Sequence, residues 1–269
     1  MYLFIYIIDL TVILILLRLL IRPNEAFFNQ IFSLLYRITD PLLVPAGYIM
    51  RDDRKKIFIT VLCLVLIRAL LYMTKPMPFI TGAGISFMSL FQLLYKFYMV
   101  IWFISVITKQ GYGSSFMDIL QRAFKPVSTT AQKFGISMRH FSVFSFLFLW
   151  VIYSLLSFII HYFISVGVTF SSFSIVQSFG EGLIIFIGLF PGFFSLIIIA
   201  AALLSWVSPD PYNPIVQAIY GISEPMLNPF RRIIPNLGGL DVSPIAALLC
   251  FQILGRFGQQ LIVGIMRAF

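Results

Sequence analysis

Residues 141–160 and 183–206 carry no charged side chain, and residues 1–17 carry one, Asp9. Runs of this length match the roughly 20 apolar residues that an α-helix needs to cross the hydrocarbon core of a bilayer. A transmembrane barrel would instead need segments of about 10 residues alternating in hydrophobicity, and these runs are nearly continuously apolar. Helices are the remaining way to satisfy every backbone amide and carbonyl in lipid. Composition agrees, with 60% hydrophobic and 11% charged residues, where soluble domains carry about 45–50% and about 25%. The expected fold is an all-α membrane protein.

Charge and turn residues divide the chain into about six spans, near 1–21, 57–74, 85–108, 141–166, 183–206 and 243–266. The opening run has no basic segment before it and no small-residue cleavage site before Arg22, so it reads as a retained first span. The connections at 22–56, 109–140 and 207–242 are long and those at 75–84 and 167–182 are short. Thirteen Lys and Arg residues lie in the long connections and one, Lys75, in the short ones. The positive-inside rule therefore places the long basic connections in the cytoplasm and both termini outside; Arg267 alone dissents. The formal charge of +9 is explained by membrane orientation, and no direct nucleic-acid partner is expected. Cys63 and Cys250 both fall inside apolar runs, where thiols pack as small hydrophobes.

Internal similarity explains the alternation of connections. Residues 36–45 (YRITDPLLVP) and 220–229 (YGISEPMLNP) share the frame Y-x-I-[ST]-[DE]-P-x-L-x-P, in which Asp40 and Pro41 match Glu224 and Pro225. Asn29 falls opposite Asn213 at the same offset. A looser copy surrounds Pro126, with Arg122 opposite Arg37. The expected organisation is three helix–interfacial connection–helix units at 1–75, 84–167 and 182–269, the middle one the most divergent.

The last connection carries the most local information. Asn213 followed by Pro214 has the form of a helix N-cap and first-turn proline, and Ile215, Ile219 and Ile222 then recur at helical spacing. This predicts a short amphipathic helix on the membrane face, ended by Pro225 and followed by a return to the bilayer punctuated by Pro229 and Pro235. Arg231 and Arg232 then sit at headgroup depth, facing anionic lipid or a partner. Gly238 and Gly239 permit a tight turn, Asp241 follows, and Ser243 caps the last span with Pro244 in its first turn.

Residues 203–249 resemble the YggT family of bacterial membrane proteins, which has plastid relatives. The resemblance rests on Ser205-Trp206, Asn213-Pro214, Glu224-Pro225, Pro229, Arg231-Arg232, Pro235, Gly238-Gly239, Asp241 and Ser243-Pro244. It extends partially to the first unit through Asn29, Asp40-Pro41 and Pro45, where the Arg-Arg and Gly-Gly elements are absent. Three units also depart from the family's usual two. The resemblance implies an integral membrane protein without assigned catalytic chemistry, associated in different lineages with membrane-complex assembly, cell division or nucleoid organisation, and osmotic tolerance.

Ionisable residues within spans are expensive and default to functional candidates: Asp9, Arg68, Lys96, His161 and Arg256, with Arg18 near a span end. The functional reading is a polar track in which Asp9 pairs with Lys96 or Arg68. The plainer reading is snorkelling, with Arg18, Arg68 and Arg256 reaching toward the ends of their spans. Gly188 and Gly192 frame Pro191 and predict a kink with close helix contact, and Gln259 with Gln260 is suited to bonding neighbouring helices. No catalytic, cofactor or metal site is expected, since HExxH, paired-cysteine, Walker A and GxSxG patterns are all missing. Two functions compete. One is a scaffold or assembly factor working with a membrane-protein partner or as a homo-oligomer; the other is a small-solute or ion transporter.

Overall fold

The computed structural model describes residues 2–28, 30–72, 79–107, 115–168, 174–207, 210, 213–234 and 241–268, and among these all regular structure is helical. In chain order the helices are α1 (Tyr2–Leu20), α2 (Pro23–Phe28), α3 (Gln30–Gly47), α4 (Asp53–Tyr72), α5 (Phe79–Ile107) and α6 (Ser115–Lys133). They continue with α7 (Phe141–Val168), α8 (Ile175–Gly188), α9 (Ser195–Val207), α10 (Pro214–Ile233) and α11 (Ser243–Ala268), with a π-turn at Phe190–Phe194 joining α8 to α9. Asn29, Lys75, Pro235, Gly238 and Gly239 lie outside the described residues.

Five stretches are long and apolar enough to cross a bilayer: Leu3–Leu20, Phe79–Ile107, Phe141–Phe163, Ile175–Val207 and Ser243–Ala268. The second of the six expected spans is α4, and it differs from these five in charge. Every 18 consecutive residues of it include Lys55, Lys56 and Arg68. The fifth begins eight residues before the expected 183. Ser174 and Gln177 form a capping box there, Gln177 N–H donating to Ser174 Oγ at 3.2 Å and Ser174 N–H to Gln177 Oε1 at 3.0 Å, a start signal that the apolar run itself does not carry.

The chain forms two compact units. The first comprises Met1–Leu94 with Leu156–Phe173, and the second Tyr95–Leu155 with Ser174–Phe269. In the first, α1, α3 and α4 close on Ile15, Leu43 and Ile57, with Val61 and Leu64 packed against them. In the second, α9, α10 and α11 close on Ile198, Leu227 and Ala247, flanked by Phe230, Leu248 and Phe251. Leu43 and Leu227 hold the same place in the repeated decapeptide frame. Each core therefore brings three helices together around one leucine of the decapeptide.

The π-turn has a local cause. Pro191 has no amide to donate, and the backbone widens so that Phe194 N–H reaches Leu189 O at 2.9 Å, five residues back. Gln252 of α11 donates to Pro191 O at 2.8 Å, and Ser195 Oγ donates to Phe190 O at 2.8 Å. Phe103 packs its ring 5.0 Å from Phe190 and 4.6 Å from Phe194, closing the apolar side of the turn. Of the two glycines framing Pro191, Gly188 lies against α11, where an added Cβ would stand 2.7 Å from Gln259 Nε2, while Gly192 faces open space.

Candidate functional site

The three long connections each carry a helix that contains proline: Pro41 and Pro45 in α3, Pro126 in α6, Pro225 and Pro229 in α10. The expectation that Pro225 ends its helix is overturned, because α10 runs unbroken from Pro214 to Ile233. Pro225 is half-buried beside the stripe of Val216, Ile222, Ser223, Met226 and Leu227, so the packing of that face holds the helix through it. Pro41, Pro45, Pro126 and Pro229 lie instead on exposed faces, with Leu35, Thr39, Leu43 and Ala46 forming the buried stripe of α3. A proline on an outer face leaves the carbonyl four residues earlier free to bond water or headgroups, so the helix tolerates the missing bond.

Asn213 caps α10, its side chain accepting from Ile215 N–H at 2.9 Å with Pro214 in the first turn. Arg231 and Arg232 form the exposed last turn, where the helix dipole favours cations. Arg231 Nε donates to Asp241 Oδ2 at 2.9 Å, and Asp241 Oδ1 accepts from Ser243 N–H at 2.9 Å. The start of α11 is therefore capped by Asp241, two residues before the serine expected to do it. Burial alone would raise the Asp241 carboxyl, but hydrogen bonds from Ser243 and the hydrogen bond and charge of Arg231 hold it below the usual carboxylate range.

A depressed folded-state value contributes stability that is present above the ordinary carboxylate value and lost as pH falls through the folded one. Acid titration of the thermal midpoint is thus expected to show a steeper decline for the native protein than for Asp241→Asn, the two converging at the lowest pH. Parallel curves would remove the Arg231–Asp241 join from the account.

In the first unit the same frame is gripped differently. Arg18 of α1 donates to Thr39 Oγ1 at 2.9 Å and Asp40 Oδ1 at 2.5 Å, and its guanidinium carbon lies 4.2 Å from the Tyr36 ring centroid. Thr39 Oγ1 in turn donates to Leu35 O at 2.7 Å and Tyr36 Oη to Ile21 O at 3.0 Å. Arg18 does not snorkel; it clamps α3 onto the end of α1. In the second unit Tyr220, Ser223 and Glu224 keep the frame, but residues 201 and 202 are both alanine, so the guanidinium has no counterpart.

The residues singled out within spans do not share one environment. Arg68 is 2% exposed and donates to Asp9 Oδ1, to Ser86 Oγ at 3.1 Å and to Ser86 O at 2.5 Å. Ser86 Oγ donates onward to Val65 O at 3.1 Å, so one guanidinium joins α1, α4 and α5. Lys96 and Arg256 are exposed and His161 is half-buried. Arg68 therefore does not snorkel either. The serine that completes its shell has no distinguishing sequence signal, since serine is common in membrane helices. Gln252 was likewise silent in sequence, whereas Gln259, read as a helix-bonding residue, donates to Ile184 O at 3.1 Å.

Among the described residues no group of three or more His, Cys, Asp or Glu side chains converges as a metal ion would require. The arrangement is one of helix clamps and an outward-facing amphipathic surface.

A family model described as CCB3/YggT matches residues 180–262. An uncharacterized protein of Haemophilus influenzae is 31% identical over 140 residues, 52% of this chain and 71% of that relative. Uncharacterized protein PA0392 of Pseudomonas aeruginosa is 53% identical over 62 residues, 23% of this chain and 30% of its own length. YlmG homolog protein 2, chloroplastic, of Arabidopsis thaliana is 40% identical over 70 residues, 25% of this chain and 28% of that protein. The chain thus spans less than a third of two of these relatives. No solved structure matches it.

Proposed function

Because the chain belongs to the CCB3/YggT family, we propose that it is a non-catalytic multi-pass membrane protein acting as a scaffold or assembly factor for membrane complexes. The observation that carries this reading is the shared construction of α3, α6 and α10. Each buries one stripe and carries at least one proline on its exposed face, Pro41 and Pro45, Pro126 or Pro229, leaving a docking surface at the membrane face, and the family match is centred on α10.

The reading includes six spans in three units at 1–75, 84–167 and 182–269, the long basic connections cytoplasmic and both termini outside a bacterial inner membrane. Support for α4 as the sixth span comes from its charges: Lys55 and Lys56 sit in its first turns, at headgroup depth, and Arg68 is neutralised by Asp9. Support for the units comes from the matching cores around Leu43 and Leu227.

Affinity purification of a C-terminally tagged chain from gently solubilised membranes is expected to retain a stable membrane-protein partner. The tag should be accessible from outside intact spheroplasts, and purified protein in proteoliposomes should pass small ions and solutes at background rates. Solute-specific flux lost on altering Asp9, with no partner recovered, would overturn the scaffold reading.

A further inference from the structure

One exposed face of α11 changes character halfway along, while Phe257, Leu261 and Ile265 keep another apolar. Ile245, Leu249 and Ile253 are exposed in its first half, and Arg256, Gln260, Gly264 and Arg267 are exposed in its second. At 3.6 residues per turn these positions share one broad face. Arg256 is thirteen residues from the start of the helix and twelve from its end, about 20 Å from its start at 1.5 Å per residue. A guanidinium exposed at that depth is costly to insert unless an anion or a polar route to the surface offsets it.

Such a route exists. Arg256 and Arg267, together with Gln259, Gln260, Val263 and Gly264, line one open cavity of about 390 Å³. Both arginines face it although their positions are eleven residues apart. Helical side chains lean toward the helix N-terminus, which directs Arg267 back toward the level of Gln260. Gly264 keeps the space between them clear, with nothing within 4 Å of where its Cβ would be. Among the described residues no acidic side chain lines the cavity, and neither arginine has an ion-pair or hydrogen-bond partner. Gln259 is held to Ile184 O, which leaves two guanidinium forks and the Gln260 carboxamide around an open groove, a set that matches the oxygens of a phosphodiester.

We propose that this groove is a binding site for the headgroup phosphate of an anionic phospholipid. It lies toward the end of α11 remote from Arg231 and Asp241, so it serves the leaflet opposite to the one met by the last turn of α10. The site stands independently of the scaffold reading, since it requires only that α11 spans the bilayer.

The full chain, purified in a neutral detergent, would be titrated with phosphatidylglycerol, phosphatidylcholine and inorganic phosphate while bound lipid is counted by native mass spectrometry. Phosphatidylglycerol is expected to bind, and Arg256→Gln/Arg267→Gln is expected to weaken it by at least about tenfold. Because both residues are exposed, that variant should keep its thermal midpoint without lipid. Lys133→Gln/Arg139→Gln, which removes two exposed cations elsewhere in the chain, should bind phosphatidylglycerol as the native protein does. Equal binding by native protein and the α11 variant would overturn the proposal, as would an equal loss in the Lys133/Arg139 variant. Equal affinity for phosphatidylcholine would remove the anionic-lipid assignment, and inorganic phosphate binding as tightly as phosphatidylglycerol would reassign the groove to a free anion. Dimerisation lost in the α11 variant, with lipid binding unchanged, would assign the face to a second copy of the chain.

Discussion

Arg68→Met will be the most damaging single substitution in the first unit, destabilising it by about 3–5 kcal/mol, the cost of removing one partner from a buried pair. The loss is large because the guanidinium serves three acceptors at once. Without it Asp9 loses its cation, and Ser86 O loses a charged donor within the helix-packed interior. Asp9→Asn should cost less, since Arg68 keeps both bonds to Ser86. The double variant Asp9→Leu/Arg68→Met should cost less than the sum of the two corresponding single losses, because the charges leave together. Unfolding titrations in mixed micelles measure all of these. If Asp9→Asn proves worse than Arg68→Met, or if the double variant is strictly additive, the guanidinium is not the hub described here.

Gly255→Ala will destabilise the second unit by roughly 1–3 kcal/mol, the range for overpacking a close contact. The new Cβ would stand 2.6 Å from Pro191 Cδ and 2.9 Å from Cγ. A pyrrolidine ring has little room to yield, and Pro191 is further held by Gln252 at its carbonyl. Gly264→Ala in the same helix is the control. Nothing lies near its Cβ position, so in neutral detergent it should be neutral or gain up to about 1 kcal/mol from helix propensity. Thermal midpoints of the two variants that coincide would show that α11 does not bear on the π-turn.

Much of the fold is legible in the order of residues, because lipid leaves a chain few options. Apolar runs locate the long helices to within several residues, and the basic connections mark where amphipathic helices form. Pro225 is expected to end its helix and does not, since whether a proline breaks a helix depends on the packing around it, and that packing exists only once the chain is folded. The polar residues show the same limit. Asp9 and Arg68 are conspicuous by type, but Ser86 matters through a carbonyl that every residue possesses. Arg68 and Arg256 look alike in sequence and diverge in structure: one is enclosed by α1 and α5, the other faces an open groove. Arg18 reads as a span-end cation, and its grip on Asp40 appears only when α3 folds back against α1.

The Asp9–Arg68 bond also has a consequence in time. The two residues are separated by 59 positions, and at about 5–20 residues per second the second is synthesised roughly 3–12 s after the first. Throughout that interval the opening helix holds a carboxyl whose counterion does not yet exist, and Ser86 emerges later still. Entry of α1 into the bilayer is therefore completed by a segment made well after it, so the first unit assembles as a late event of translation and not helix by helix.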